Sequence, residues 1–330
     1  MALDDTYNVT HPGQTGATGA IDAQHIEQYT GKVQSTIARK SALTGFVTMQ
    51  PVRGTSVLQD FGVGESTLQK VVPGANLDGT VNKFGKQTLT VDTLVAARSH
   101  FPLLETFQTS YDSRMEVGLE HGKKIAKFND QAFFIQALKT ALKTDTTLTG
   151  LSGAGHFGGS LETMAASGDM LDPSKLYSAI ANLFVKMEDK DVDPSSDDII
   201  LAVRPAQFYA LLQNEQLINT NYVTANGTSV EAFLLKTYGV PVVRSNNFPG
   251  GQNITGHLLS NAANSNAYDG DFTKAVAVAF SPMALLAGET IPLTSDVHWN
   301  ADYLHWVVQS YLSFGVGPRR AEMAGAIYIP

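Results

Sequence analysis

The sequence predicts a mixed protein of the α+β class, and three observations carry that expectation. A helical period runs for roughly thirty residues from Asp112 to Lys143. A stretch from 47 to 97 reads as long β structure with a turn-rich tip. Short apolar runs of buried-strand length recur after residue 198.

Composition sets the outer bounds. The chain has 330 residues, with 31 acidic and 23 basic side chains and a net charge of −8. An apolar share of 43% beside 16% charged residues is globular and excludes bulk disorder, and the length suits one large domain or two to three smaller ones. With no cysteine there is no disulfide, thiolate zinc site or cysteine nucleophile, which fits a reducing compartment without proving one. The longest apolar run, Ala275 to Phe280, is far short of the roughly 18 residues of a membrane span. The N-terminus lacks the basic-then-apolar order of a signal peptide, Ala2 excludes myristoylation, and AIYIP is no prenylation box. The expectation is a soluble protein made in the cytosol with no membrane partner. Its acidity argues against sequence-specific nucleic-acid binding, although local patches can differ from net charge.

Residues 1 to about 20 carry few large apolar groups and read as a flexible arm. Ile26, Tyr29, Val33 and Ile37 then recur at helical spacing, a thin stripe that needs a partner surface. In the β stretch, Leu68 to Val72 reads as a strand running into the turn cluster Pro73 to Gly79. Gln87 to Val95 alternates, with Leu89, Val91 and Val95 on one face and Thr88, Thr90 and Asp92 on the other. Such a hairpin has too little apolar surface to stand alone, and either packs as an ordinary sheet edge or is covered by another surface.

The long helix opens on a capping-box pattern, Ser113 and Glu116, and carries Met115, Leu119, Ile125, Phe128 or Ala132, and Leu138 at helical spacing. At 1.5 Å per residue it would be about 45 Å long, enough to act as a strut across most of a compact body. Gly118 and Gly122 within it each cost up to about 1 kcal/mol relative to alanine and point to a close approach of another backbone. Residues 144 to 169 read as a Gly/Ser/Thr loop. Asp172 then caps a helix with Pro173 at its first position and Leu176, Ile180, Leu183, Phe184 and Met187 on one face. Ile199 to Val203, Val240 to Ser245 and Ala275 to Phe280 read as strands; Pro205 to Gln213 and Val230 to Tyr238 read as helices. Leu304 to Phe314 alternates as a last strand.

Candidate chemistry is thin. Gly153, Gly155 and Gly158 match G-x-G-x-x-G, but no strand feeds the motif and no acidic ribose ligand follows. GLSGA in the same loop misses the serine-hydrolase elbow at Ala154. Asp189, Asp191 and Asp193 have calcium-loop spacing, but Pro194 replaces the required glycine and Ile200 the required glutamate, which leaves a solvated acidic turn. His298, Asp302 and His305 could bind metal on a helix, yet the period-two pattern sends His305 to the opposite face. No catalytic, cofactor or metal site emerges, and no enzyme is predicted.

Several phrases in order resemble a known family. They are VVPGANLDG, then KQTLTVDTLVAARSHFPLLETFQTSYDSRMEVGLEHGKKIAKFNDQAFF, then LAVRPAQFYALLQ, TYGVPVVRSNNFPG and the closing FGVGPRRAEMAGAIYI. Together they resemble the major capsid protein of tailed bacteriophages, the Hong Kong 97 type capsid fold, most closely in its short-tailed podovirus branch. The resemblance runs from about Ala23 to Pro330. It implies an N-terminal arm over 1–45, an extended loop over 46–97, a peripheral domain over 98–170 and 301–330 with its spine helix at about 112–143, and an axial domain over 171–300.

The function so implied is self-assembly into hexamers and pentamers that close an icosahedral shell around double-stranded DNA. The implied partners are other copies, a scaffolding protein, a portal and a decoration protein, with non-specific contact to packaged DNA. The implied location is the virion, after assembly in the host bacterial cytoplasm. Candidate contacts between subunits are Ile26, Tyr29, Val33 and Ile37 of the arm, Pro73, Asn76, Leu77 and Asp78 of the loop tip, and Arg319 and Arg320 as ion-pair partners. Lys123, Lys124 and Lys127, with Lys139 and Lys143, form a candidate DNA-facing set; the favoured alternative is a solvated face balanced by Glu116, Glu120 and Asp130. Two other readings stand beside this one: a cellular nanocompartment shell of the same fold, and a soluble α/β hydrolase with a cryptic site.

Overall fold

A computed structural model describes residues 43, 45–70, 74, 79, 81–103, 114–153, 155–214 and 236–330. In chain order the first strands are β1 (Gln50–Pro51), β2 (Val57–Val63), β3 (Phe84–Thr90) and β4 (Val95–Pro102), followed by helix α1 (Arg114–Ala141). Then come β5 (Ser160–Thr163), α2 (Pro173–Glu188), β6 (Ile200–Val203), α3 (Pro205–Leu212), β7 (Lys236–Thr237) and β8 (Val240–Arg244). The chain closes with β9 (Asn253–Ile254), β10 (Gly270–Asp271), β11 (Ala275–Phe280), β12 (Leu285–Asn300), β13 (His305–Pro318) and β14 (Ala324–Tyr328). The chain divides into two compact units, one of residues 91–130 and 289–314 and the other of residues 45–90, 131–288 and 315–330.

The first unit is built on antiparallel strands in the order β12-β13-β4. Its register pairs His305 with Pro102 through Leu312 with Val95. β4 alternates half-buried and exposed residues along its whole length. Its sequence hides this, because the inward positions Val95, Ala97, Ser99 and Phe101 are only partly apolar. Val297 and Val308 form a small core with Phe101, Val117, Leu293 and Trp306. Ser99 Oγ lies 3.0 Å from His121 Nε2, and burial pushes the His121 pKa down, which favours a neutral ring. In α1, Gly118 and Gly122 are buried on the side that also buries His121 and Ile125.

The second unit holds a six-stranded sheet of order β5-β14-β11-β6-β8-β7. β11 lies antiparallel between β14 and β6, and all six of its residues are buried. A strand covered on both faces reads as a continuous apolar run, as AVAVAF does. Asp172 caps α2 by accepting hydrogen bonds from the Ser174 and Lys175 amides. The predicted face, Leu176, Ile180, Leu183, Phe184 and Met187, packs on Leu201, Val203, Ala277, Ala279 and Ile327. From Ala132 to Leu138 α1 is buried on all sides, and Phe134 meets Phe248 and Phe280 edge to face. The helical stripe of the sequence includes Ala132 and Leu138 but not the burial of the residues around them.

Four expectations change. Leu68 to Lys70 is not a strand; pairing stops at Val63 and Phe84, so the β ladder is shorter than the alternating pattern. The loop expected over 144–169 contains β5, which pairs parallel to β14. Lys236 and Thr237 form a strand, and Tyr238 and Gly239 turn the chain at φ +52° and +84°, where a helix ending at Tyr238 was expected. Leu285 to Asn300 is a long strand that no simple alternation announced. The capping residue Ser113, the stripe Ile26, Tyr29, Val33 and Ile37, and the tip residues Pro73, Asn76, Leu77 and Asp78 lie outside the described residues.

Candidate assembly interface

The hairpin of β2 and β3 has two unlike faces, fixed by its register. Leu58, Asp60 and Gly62 stand opposite Leu89, Gln87 and Gly85, while Phe61 and Val63 stand opposite Lys86 and Phe84. With a side-chain period of two, the first set forms one face and the second the other.

The inner face rests on the loop that carries the glycine motif. A Cβ on Gly62 would collide with Leu148, and one on Gly85 would fall within 2.6 Å of Leu151. These glycines therefore let two backbones approach over a pair of leucines. The Thr149 amide donates to the Lys86 carbonyl at 3.1 Å, and Gly155 (φ +78°) packs against Glu65. Of the motif's glycines, Gly155 thus meets the hairpin, while Gly158 lies against the backbone of Thr144 and no strand–turn–helix surrounds them.

A charged clasp locks this seat. The Arg319 guanidinium donates twice to the Asp60 carboxylate, Nε to Oδ2 and Nη2 to Oδ1, each at 3.0 Å. Thr147 Oγ1 donates to the Arg319 carbonyl. Arg320 Nη1 lies 3.1 Å from His156 Nδ1, and His156 Nε2 lies 3.0 Å from the Val63 carbonyl. Arg319 and Arg320, expected to pair between subunits, are engaged inside the chain, because the hairpin returns Asp60 and Val63 to the closing segment. Sequence reasoning missed Asp60, Thr147, Leu148, Leu151 and His156; the only signal for them was glycine density beside isolated leucines. Arg319→Lys keeps the charge but loses the two-pronged geometry. We expect it to weaken the local hold on the hairpin by about 2 kcal/mol, read as faster amide exchange across β2 and β3 with unchanged exchange in β11.

The outer face sets apolar side chains beside Gln59, Lys86 and Thr88, all of them exposed. Phe61 is 66% exposed and Phe84 73%, with Val63 between them and exposed Leu68 and Val81 beyond the paired ladder. An apolar cluster of this kind on an anchored element marks a docking surface more often than an ordinary exterior.

The basic set on α1 divides. Lys123, Lys124 and Lys127 are exposed, with Lys123 Nζ 3.4 Å from the Glu120 carboxylate. Lys139 leaves that set: its ammonium donates to the Ala267 carbonyl at 2.8 Å, and burial pushes its pKa down. Asp130, expected to balance a solvated face, is fully buried. Asp193 spends its carboxylate on Ser195 and Ser196, whose hydrogen bonds hold its pKa down. His298 pairs with Asp296 at 2.9 Å, while His305 sits across a chain reversal against His100. The separation of His298 and His305 therefore comes from a hairpin turn and not from alternation along one strand. Among the described residues no group of three metal-ligating side chains comes together, and no helix is long and apolar enough to cross a membrane.

A sheet body that seats a hairpin on its inner face and exposes apolar side chains on the outer one has the build of a subunit whose packing is completed by other molecules. The comparisons specify the class. The model of the Gp10A-like major capsid protein family matches residues 60–327, so the chain belongs to that family and is a structural protein of a phage capsid shell. No curated protein matches by sequence. The fold is similar to the capsid of cyanophage P-SCSP1u, with 19% identity, TM-score 0.73, and 87% of this chain and 88% of that one covered. It is similar to the mature capsid of bacteriophage PhiM1, with 24% identity, TM-score 0.72, and 88% and 87% covered. A virus-like particle from Pyrococcus furiosus shares the fold at 10% identity and TM-score 0.55, over 92% of this chain and 99% of that one. The Hong Kong 97 type α+β fold is therefore the fold of this chain, and its place is the virion.

Proposed function

We propose that copies of this chain form hexamers and pentamers that close an icosahedral head around the double-stranded DNA of a short-tailed phage, and that the hairpin of β2 and β3 is the element each copy lays across its neighbour. The observation that carries the reading is the two-faced hairpin: an inner face clasped by Arg319 and Asp60, and an outer face presenting Phe61, Val63 and Phe84. Symmetric shells reuse the same patch in every copy, so weak single contacts add to a stable whole.

On this reading 1–45 is the arm and 46–97 the extended loop. Residues 98–170 with 301–330 are the peripheral domain, and 171–300 the axial domain. The arm stripe Ile26, Tyr29, Val33 and Ile37 and the tip Pro73, Asn76, Leu77 and Asp78 contact other copies. Lys123, Lys124 and Lys127 supply non-specific contact with packaged DNA. A scaffolding protein, a portal and a decoration protein complete the head, which assembles in the host cytoplasm.

The test is the mass of the purified full chain by light scattering, with negative-stain imaging and nuclease protection of the contents. Megadalton particles of icosahedral outline holding nucleic acid are expected from infected cells. Particles holding only a protein cargo would move the reading to a nanocompartment, and a 35.4 kDa monomer at every salt concentration would overturn it. Deleting residues 1–22 is expected to leave a soluble subunit that assembles poorly; normal shells from that deletion would remove the arm from the mechanism.

A further inference from the structure

We infer that His156 is a proton-operated latch on the root of the β2–β3 hairpin, exchanging Arg320 for Glu322 as its partner when it gains a proton. The inference rests on the geometry of one ring and stands apart from the assembly reading. A guanidinium can only donate, so the 3.1 Å contact from Arg320 Nη1 makes His156 Nδ1 an acceptor. The ring proton is then on Nε2, which donates to the Val63 carbonyl at 3.0 Å. This is the neutral ring, tautomer included.

A second acceptor waits beside it. Glu322 Oε1 lies 3.6 Å from the same Nδ1, and Glu322 Oε2 is buried with no hydrogen-bond partner among the described residues. Both side chains are nearly enclosed, at 13% and 12% exposure, so an added charge there is weakly screened. A proton on Nδ1 ends its role as acceptor for Arg320 and turns it into a donor toward the Glu322 carboxylate. The Nε2 donor to Val63 persists through the exchange and becomes charge-assisted, hence stronger.

The other charged groups around the ring do not cancel this. On the hairpin, Asp60 is neutralised by Arg319, and Glu65 is exposed and packs against Gly155. Beyond the end of α2, Lys190 is held by the carbonyls of Gly158 and Gly159. Arg320 is the cation displaced. Acid therefore fastens the hairpin root and releases the Arg320 guanidinium, and neutral pH reverses both. Histidine is the side chain suited to such a change near physiological pH.

The experiment uses the full chain and reads amide exchange at Gly64, whose amide donates to Lys83 at 2.8 Å, and at the β3 residues facing β2. Between about pH 7.5 and about pH 5.5, after correction for intrinsic exchange rates, protection there is expected to rise severalfold in the native sequence. His156→Gln can still donate to Val63 and accept from Arg320 but cannot take the proton, and is expected to abolish the rise. Glu322→Gln is expected to reduce it. An equal rise in His156→Gln, or none in the native chain, overturns the latch. If a variant fails to fold, the nitrogen shifts of 15N-histidine in the native chain decide instead: a His156 ring protonated on Nε2 at neutral pH supports the latch, and one protonated on Nδ1 overturns it.

Discussion

Replacing Phe84 with aspartate is expected to abolish particle formation while leaving the subunit as stable as before. In the free chain this ring is 73% exposed and stands beside Val63 and near Phe61 on the outer face of the hairpin. Substitution at so exposed a site costs a folded subunit no more than about 0.5 kcal/mol. On the proposed reading, a neighbouring copy in the assembled shell covers the same ring. Burying a phenylalanine removes at least about 150 Å² from water, worth roughly 4 kcal/mol at 25 cal/mol per Å². An aspartate forfeits that and must also be desolvated. Every copy in the shell carries the loss, so a modest local defect becomes all-or-none. Light scattering of the assembly reaction and thermal unfolding of the unassembled subunit separate the two effects. Normal particles would take the outer face out of the mechanism. A lowered unfolding temperature would mean that the outer face was covered by its own chain.

Gly159→Ala is expected to fail one step earlier, at folding. The Gly159 amide donates to the Lys143 carbonyl at 2.8 Å, just past the end of α1. A Cβ at Gly159 would collide with the carbonyl of Ala141, the last residue of that helix. The obstacle is backbone held in a helix, so no side-chain rotation relieves it, and the strain reaches the buried segment Ala132 to Leu138. The expected cost is upwards of about 3 kcal/mol, a large part of the stability of a typical domain. Gly168→Ala is the control, since a Cβ there meets nothing within 4 Å. It is expected to change stability by no more than about 0.5 kcal/mol. Equal denaturation midpoints for the two variants would refute the close-approach account.

Much of the sheet body was legible in the sequence because its signals are local. Asp172 and Pro173 announce the start of α2, and its apolar face follows from a spacing of three and four residues. AVAVAF announces a strand buried on both sides. The alternation of Leu89 with Thr88 and Thr90 marks the inner and outer sides of the hairpin, although the expected run to Val95 breaks after Thr90 and Val95 opens β4. A family resemblance running from about Ala23 to Pro330 supplied the shell function, which no single motif could.

What only the tertiary structure decided is the pairing of residues far apart in sequence. Asp60 and Arg319 meet across 259 positions, and His156 and Arg320 across 164. No periodicity encodes such a pairing, because it depends on where the chain returns. The glycine motif shows the same limit. Gly155 and Gly158 have the spacing of a phosphate loop, but whether a glycine admits a phosphate, a helix or another backbone is set by what arrives beside it. Here Glu65 of the hairpin lies against Gly155, and the backbone of Thr144 against Gly158. Sequence determined the elements and their faces through short-range sterics and burial, and the fold alone determined their partners, because long-range contacts follow from global packing.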